Sequence, residues 1–294
     1  MQENLNDYLD NQKQLIEENL RNYLQHLSIP SQLKESMIYS LEAGGKRLRP
    51  ILLFASCQAY GGNVSKTLSS AAALEMIHTY SLIHDDLPAM DDDDYRRGKP
   101  TNHKVFDEAT AILAGDALLT YSFEIITNDP VLTDQQKVKL TGMMATVAGP
   151  RGMVGGQILD MEAEINPVSL EELEHIHALK TGELLQFAVF AGAYLSSATD
   201  EQLKALKDFA HYLGLIFQVQ DDILDVVGDP DKIGKAIGSD ELNQKSTYPK
   251  LLGIDGAIEQ KQKYVNKAKE ALKKADALDT TLNSLIDYFS HRDH

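Results

Sequence analysis

The sequence predicts an all-α protein. Apolar residues recur at steps of three and four along most of its 294 residues, whereas alternating, strand-like segments between turn signals are scarce. The clearest apolar face runs from Leu203 to Leu224 and includes Leu213 and Phe217. The sequence contains no fixed-period repeat and no serine- or glycine-rich linker, so we expect one domain over residues 1–294.

The predicted helices follow one another along the chain. Besides the face just described, they cover about 3–26, 31–43, 65–86, 105–127, 133–148, 168–195 and 255–275. Glycine pairs at Gly44-Gly45 and Gly61-Gly62 break the chain between helices, and Pro50 suits an early turn of a helix.

The chain is strongly acidic. Its 44 acidic and 28 basic side chains give a formal net charge of -16. This charge argues against binding to nucleic acid or to anionic lipid, because both are also negative. A phosphorylated substrate would need local basic residues or metal ions to reverse the field. Hydrophobic residues make up 43% of the chain, which is enough for a substantial core.

Three observations favour a cytoplasmic protein without a membrane span. Cys57 is the single cysteine and lies in an apolar run, so we expect a buried thiol and no internal disulfide. The first residues lack the basic and apolar regions of a signal peptide. No uninterrupted apolar stretch reaches the roughly 18 residues of a membrane helix. The best candidate, residues 184–195, is shorter and contains Gln186.

Two aspartate-rich motifs carry the most chemical information. Asp85, Asp86 and Asp91 form the first, and Asp221 and Asp225 mark the ends of the second. Each motif ends an apolar, helix-like run, where clustered carboxylates repel one another and resist desolvation unless a cation binds. Magnesium is the natural cation, because it takes oxygen ligands from a few carboxylates and from substrate phosphates. The two motifs therefore predict a site for a polyphosphate with magnesium.

The rest of the first acidic run has a simpler interpretation. Asp92, Asp93 and Asp94 exceed what one metal site needs, so we expect a solvated acidic loop there. Pro88 ends regular helical hydrogen bonding, which lets Asp91 return toward the helix end.

Basic residues stand where an anionic substrate would require them. A flexible Gly-Gly turn precedes three cations, and two arginines follow the first acidic loop. Guanidinium groups and backbone amides bind phosphate well. The three cations after the turn are Lys46, Arg47 and Arg49. The candidates for phosphate binding are Lys46, Arg49, Arg96, Arg97, Lys180 and Lys235.

Other catalytic motifs are missing from the sequence. The run from Gly61 to Thr67 lacks the glycine that a phosphate-binding P-loop places before its lysine, and no HExxH zinc motif occurs. His175 and His177 are two residues apart, so they point to different helix faces, and we expect two surface histidines. Metal-assisted diphosphate chemistry is therefore the leading class.

At this point the chain resembles the trans-isoprenyl diphosphate synthases, and among them the bacterial short-chain enzymes. The likeness covers nearly the whole sequence. Its most specific passage is residues 78–91, followed by Arg96-Arg97-Gly98. Lys180-Thr181-Gly182 and residues 218–225 add independent matches in the expected order.

The resemblance implies a single-domain helical bundle around a deep central cavity, assembled as a homodimer. It implies a magnesium enzyme with about three ions per active site, with manganese as a substitute. The implied metal ligands are Asp85, Asp86, Asp91 and Asp221, and the implied catalytic residues are Asp85, Asp86, Lys180, Thr181, Gln218 and Asp221. It implies that Arg96, Lys180 and Lys235 bind the allylic diphosphate. Isopentenyl diphosphate would be bound by Lys46, Arg49, His78 and Arg97.

The implied reaction condenses isopentenyl diphosphate with dimethylallyl and geranyl diphosphate to give farnesyl diphosphate. An allylic carbocation forms as diphosphate departs, and dipoles near Lys180-Thr181 and Gln218 stabilise it. In similar enzymes an aromatic residue five positions before the first aspartate limits chain length, and Tyr80 stands there. Arg292 is a candidate for closing the site from the C-terminal region.

Three alternatives remain open. A geranylgeranyl diphosphate synthase would use the same chemistry for one more elongation. A noncatalytic prenyl-binding partner subunit would not need both acidic motifs intact. A class I terpene cyclase would not need the isopentenyl diphosphate set of Lys46, Arg49 and His78.

Overall fold

The all-α prediction is confirmed. The computed structural model describes residues 4–228 and 246–292. Within these ranges, the helices are α1 (Leu5–Gln25), α2 (Ser31–Leu41), α3 (Leu48–Ala59), α4 (Leu68–Asp85), α5 (Asn102–Val105), α6 (Glu108–Thr127), α7 (Asp134–Ala148), α8 (Met153–Ile165), α9 (Leu170–His177), α10 (Glu183–Leu195), α11 (Asp200–Val227), α12 (Tyr248–Lys274) and α13 (Thr281–His291). A 3₁₀ turn (Val64–Lys66), a π turn (Ala178–Gly182) and a hairpin of β1 (Tyr95–Arg96) and β2 (Lys99–Pro100) complete the described elements.

Local sequence signals fix several helix starts. The Asn4 side chain caps α1 by accepting from the amide of Asn6. Reciprocal capping boxes begin α9, with Ser169 and Glu172, and α11, with Thr199. Each box satisfies backbone donors that a helix start leaves without partners. These caps explain why the predicted helix bounds in these regions agree with the structure to within a few residues.

Three predicted features were incomplete. The predicted helix over 168–195 is divided by the π turn into α9 and α10. Helix α12 begins at Tyr248 rather than near 255, and Gly253 interrupts it with a positive φ of 72°. Helices α3, α8 and α13 were not among the predicted helices. In α8 the apolar residues do not form one buried face, because Ile158 and Ile165 are exposed.

The chain is organised as two compact units. The first comprises Met1–Phe54 and Asn63–Gly142, and the second comprises Ala55–Gly62 and Met143–His294. The prediction of one domain over residues 1–294 stays a prediction.

In the first unit, α4 is the central helix. Nearly every residue of it is buried, and it packs against α6. Gly115 of α6 allows the two helices to approach closely, since a Cβ at that position would collide with the His84 ring of α4. The His84 ring also lies 3.1 Å from the Ile112 carbonyl oxygen. This packing holds the C-terminal end of α4, which carries the first acidic motif.

In the second unit, α11 is the central helix. It packs against α10, α12, α13 and the π turn. Gly214 allows the approach to the π turn, because an added Cβ would lie 3.0 Å from the Cα of Gly182. Cys57 is buried, as predicted, and accepts from the Ser196 hydroxyl at 3.1 Å. The C-terminal part of α11 carries the second acidic motif.

One helix in the described ranges, α6, is long and apolar enough to cross a membrane by length and composition alone. Its most apolar window is 39% buried, and core helices of soluble proteins pass the same test. This helix differs from the 184–195 segment that the sequence favoured.

Candidate active site

The first acidic motif lies where α4 ends. Asp85 is the last residue of the helix and Asp86 is its C-cap, with 9% and 4% of their surfaces exposed. The chain then turns back, and the Asp91 amide donates to the Asp85 carbonyl at 2.8 Å. Two buried carboxylates and an exposed one are thus held by a single turn, as the sequence predicted for the return of Asp91.

Arg96 neutralises the more buried of these carboxylates. Its Nε donates to Asp86 Oδ1 at 2.6 Å, and its Nη2 lies 2.5 Å from the same oxygen. Burial raises the pKa of Asp86, and the arginine opposes that rise. Burial lowers the pKa of Arg96, but its contacts with Asp86 and then Asp93 raise it overall. The pair therefore holds complementary charges in a partly desolvated site.

The rest of the acidic loop faces solvent, as predicted. Asp92 and Asp94 are exposed, and Asp93 is half-buried. Asp94 pairs with Lys104 at 2.6 Å, and Asp93 lies 3.4 Å from Arg96.

The Gly-Gly turn makes room for Arg97. The Arg97 guanidinium donates to the carbonyl of Gly44. Gly45 has a φ of 116°, and a Cβ there would lie 2.5 Å from Arg97 Nη1. Glycine is needed at Gly45 both for its backbone conformation and for this space. Burial lowers the pKa of Arg97, and nearby Arg47 lowers it further.

His78 lies on α4 in the same cationic environment. Burial lowers the pKa of its ring well below the usual value, and the charges of Arg49 and Arg97 add to that effect. The ring is therefore neutral near pH 7, with one nitrogen donating and the other accepting.

Arg47 points into the core of the first unit. Its side chain is 2% exposed, and its Nη1 donates to Glu75 Oε1 at 2.7 Å. It also donates to the carbonyl of Leu41, and Glu17 lies 3.5 Å from its Nε. Arg47 stands between Lys46 and Arg49 in the sequence, but in the structure its partner is the buried carboxylate of Glu75.

Tyr80 is also buried on α4, with 5% of its surface exposed. Burial raises the pKa of its hydroxyl to about 12, and the charge of Asp85 acts in the same direction. Its ring meets that of His84 edge to face at 5.7 Å.

The second acidic motif lies near the end of α11, within the second unit. Arg292 forms an ion pair with Asp221 and donates to the carbonyl of Phe217 at 3.1 Å. Its guanidinium also lies 4.1 Å from the centre of the Phe217 ring. The carbonyl of Arg292 accepts from Gln220 at 2.8 Å. The C-terminal part of the chain is thus fixed against the second motif.

The middle aspartate of this motif has a structural partner. Asp222 is buried, and its Oδ2 accepts from the backbone amide of Tyr248 at 2.8 Å. Tyr248 is the first residue of α12, so Asp222 satisfies a backbone donor at the start of that helix.

Lys180 and Thr181 lie in the π turn of the second unit. Lys180 Nζ donates to Asp160 Oδ2 at 2.6 Å. The Thr181 hydroxyl donates to Gln218 Oε1 at 2.8 Å, which joins the π turn to α11. Single π turns inside helical segments occur frequently at functional sites. The structure joins Thr181 to Gln218, and the catalytic role of Lys180, Thr181 and Gln218 stays a prediction.

His177 ends α9 just before the π turn and is buried, not on the surface as predicted. Its ring stacks on Tyr248 at 5.8 Å, and burial lowers its pKa to about 4. His175 is exposed, in agreement with the prediction.

Residues 30–286 match the profile of the polyprenyl synthetase family. The chain belongs to this family. It is 49% identical over 296 residues to the farnesyl diphosphate synthase of Bacillus subtilis, covering 100% of both chains. It is 49% identical over 268 residues to the chloroplastic geranylgeranyl pyrophosphate synthase of Catharanthus roseus, covering 90% of this chain and 75% of that one. The solved structure of an FPP/GFPP synthase from Zymomonas mobilis matches with a TM-score of 0.85 at 36% identity, covering 98% and 99% of the two chains.

The donor chemistry of the first acidic motif fits magnesium. Within the described ranges, no group of three carboxylate, histidine or cysteine side chains converges closely enough to hold an ion alone. Magnesium does not need such a group, since it keeps several waters and binds through one or two carboxylates plus phosphate oxygens. Asp85 and Asp86 are buried carboxylates at one helix end, where a divalent ion would offset their mutual repulsion.

Lys235 lies outside the residues that the structure describes.

The sequence reasoning missed two residues of α8, Gly156 and Asp160. They are four residues apart and therefore share one helix face. The signal in the sequence that could have indicated them is a glycine followed, four residues later, by a carboxylate within an apolar segment.

Proposed function

We propose that this protein is a farnesyl diphosphate synthase. It condenses isopentenyl diphosphate head to tail with dimethylallyl diphosphate and then with geranyl diphosphate. The observation that carries the proposal is the full-length likeness to enzymes of that name, in a chain that keeps both acidic motifs. A noncatalytic partner subunit would have no use for both.

The acidic residues are proposed to hold magnesium. Asp85, Asp86 and Asp91 would serve from the first motif and Asp221 from the second, with about three ions, or manganese in their place. When bound, the ions neutralise the negative charge that develops on the departing diphosphate. Asp222 is not part of this set, and its carboxylate accepts from the amide of Tyr248.

The basic residues are proposed to divide between two diphosphates. Arg96, Lys180 and Lys235 bind the allylic substrate, and Lys46, Arg49, His78 and Arg97 bind isopentenyl diphosphate. The lowered pKa of His78 supports its part, since a neutral ring donates a hydrogen bond without adding charge to a cationic cluster.

The reaction follows from charge separation. The allylic carbon–oxygen bond breaks, its electron pair leaves with the diphosphate, and an allylic cation remains. The double bond of isopentenyl diphosphate attacks that cation, and a proton is lost to the departed diphosphate. The carbonyl and hydroxyl dipoles near Lys180-Thr181, with Gln218, stabilise the cation without bonding to it covalently. Exclusion of water protects the cation from hydrolysis.

Tyr80 is proposed to stop chain growth at fifteen carbons. Tyr80 precedes Asp85 by five helical positions, which corresponds to about 7.5 Å along the axis. Its burial supports the proposal, because a fixed ring can block a growing chain.

The second candidate function is that of a geranylgeranyl diphosphate synthase. It is favoured by the sequence identity to the Catharanthus enzyme, which is the same 49% as to the Bacillus enzyme.

We also propose a cytoplasmic homodimer with no membrane span. Helix α6 supports the dimer, because it exposes Ile112 and Leu113 although it is the most apolar long helix of its unit. Sedimentation of the purified protein would show the assembly.

Two measurements separate the enzyme classes. Binding of isopentenyl diphosphate distinguishes a synthase from a terpene cyclase, which has no site for it. Turnover of that bound substrate with dimethylallyl diphosphate distinguishes a synthase from a noncatalytic partner. We expect both to be positive; binding without turnover would exclude the proposed function.

A further inference from the structure

We propose that Asp160 is a positioning residue for Lys180, and that Gly156 on the same helix face completes the arrangement. The proposal rests on the proposed function, because it takes Lys180 to bind the allylic diphosphate. All of its parts lie within the second unit.

Helix α8 contacts Lys180 at both ends of that residue. A Cβ at Gly156 would collide with the backbone nitrogen of Lys180 and lie 2.7 Å from its Cα. One turn later on the same face, Asp160 Oδ2 accepts from Lys180 Nζ at 2.6 Å. The helix therefore fixes the backbone of Lys180 through a glycine and its ammonium group through a carboxylate.

Contacts with α11 fix the two residues that follow Lys180 in the π turn. Thr181 is bound to Gln218 at 2.8 Å, and Gly182 packs against Gly214 of α11. Helix α11 thus holds these two residues of the π turn. An unrestrained lysine side chain loses rotamer entropy when it binds a ligand. Asp160 reduces that cost, because it already holds the ammonium group in one place.

The chemistry of the ammonium group allows Lys180 to bind a phosphate while Asp160 orients it. An ammonium group has three N–H donors, so it can donate to a carboxylate and to a phosphate oxygen at the same time. His177, which precedes the π turn, is buried with a pKa of about 4 and adds no charge at neutral pH. Within the described residues of the π turn, Lys180 carries the positive charge, and Asp160 accepts a hydrogen bond from it.

Stability does not explain this ion pair. The two side chains are 32% and 23% exposed, and ion pairs with such access to water contribute little to stability. A structural role would therefore be small, whereas misplacing a group that binds the reacting diphosphate costs roughly 10- to 100-fold in rate. Loss of Asp160 should reduce activity much more than it reduces stability.

The test is a double-mutant cycle with Asp160→Ala, Lys180→Ala and the double variant. Steady-state kinetics give kcat and KM for dimethylallyl and for isopentenyl diphosphate. Calorimetry of inorganic pyrophosphate with magnesium measures binding without catalysis. We expect Asp160→Ala to lower kcat/KM for the allylic substrate by roughly 10- to 100-fold. It should weaken pyrophosphate binding, leave KM for isopentenyl diphosphate unchanged, and have no further effect when Lys180 is already alanine.

Two further variants keep the proposal testable if Asp160→Ala does not fold. Asp160→Asn retains an oxygen acceptor and should recover most of the lost activity. Gly156→Ala should reproduce the loss by displacing Lys180, while Gly142→Ala, whose Cβ would meet nothing within 4 Å, should behave as the wild type.

The proposal is overturned if Asp160→Ala keeps wild-type kinetics and pyrophosphate binding. It is equally overturned if the loss persists in full in the Lys180→Ala background, since Asp160 would then act independently, for example through an ion. A wild-type protein that binds pyrophosphate but forms no prenyl product would refute the proposed function alone, and the binding cycle would still decide the role of Asp160.

Discussion

Replacement of Arg47 by alanine should strongly destabilise the protein. The Arg47 and Glu75 side chains are 2% and 3% exposed, and they pair at 2.7 Å. Removing the arginine would leave the Glu75 carboxylate buried without its countercharge, which costs about 3–5 kcal/mol. At about 2–4 °C for each kcal/mol, the melting temperature should fall by roughly 6–20 °C. Thermal unfolding followed by far-ultraviolet circular dichroism measures this change.

The matched control is Arg21→Ala, in the same unit. Arg21 pairs with Glu42 at 3.1 Å, but the two side chains are 53% and 51% exposed, so the loss should not exceed about 1 kcal/mol. The double variant Arg47→Met with Glu75→Leu should regain much of the stability, because no unpaired charge remains buried. Equal small losses for Arg47→Ala and Arg21→Ala would refute this reasoning. A raised KM for isopentenyl diphosphate at unchanged stability would instead assign Arg47 to substrate binding.

Three other predictions concern the site and its surroundings. Asp85→Ala and Asp221→Ala should each abolish most turnover while preserving the helical circular-dichroism signal; near-normal activity in both variants would remove the metal-binding assignment. Tyr80→Ala should lengthen the product beyond fifteen carbons, and an unchanged product, resolved by chromatography, would place the stop elsewhere. Because the pKa of His177 is about 4 in the folded protein and about 6.5 when unfolded, the unfolded chain binds the proton first as the pH falls. The contribution of this group to stability should therefore be lost between about pH 6.5 and 4, by up to roughly 3 kcal/mol, and His177→Gln should flatten that decline whereas His175→Gln should not.

The sequence was a good guide to the helices because most of them carry a regular apolar face and local caps. The α11 face and the Thr199 capping box are examples. The π turn could not be predicted, because Lys180 and Thr181 lie in a continuous helical pattern. Its contact between Thr181 and Gln218 of α11 joins residues that are distant in the sequence.

The sequence predicted the class of ligand that the site would bind, but not the side-chain partners of its individual residues. Carboxylates at two helix ends and cations beside a Gly-Gly turn indicated a diphosphate and a metal. Sequence alone could not show that Arg47 is turned into the core toward Glu75, or that Asp222 accepts from Tyr248, because both partners are distant in the chain.

The most direct test of the proposed function is product analysis. Purified protein would be incubated with magnesium, labelled isopentenyl diphosphate and dimethylallyl diphosphate, and the dephosphorylated products would be resolved by chain length. A dominant fifteen-carbon alcohol that disappears on chelation of the metal is the predicted result. A dominant twenty-carbon alcohol would contradict the farnesyl product, and absence of elongation despite substrate binding would contradict the synthase activity itself.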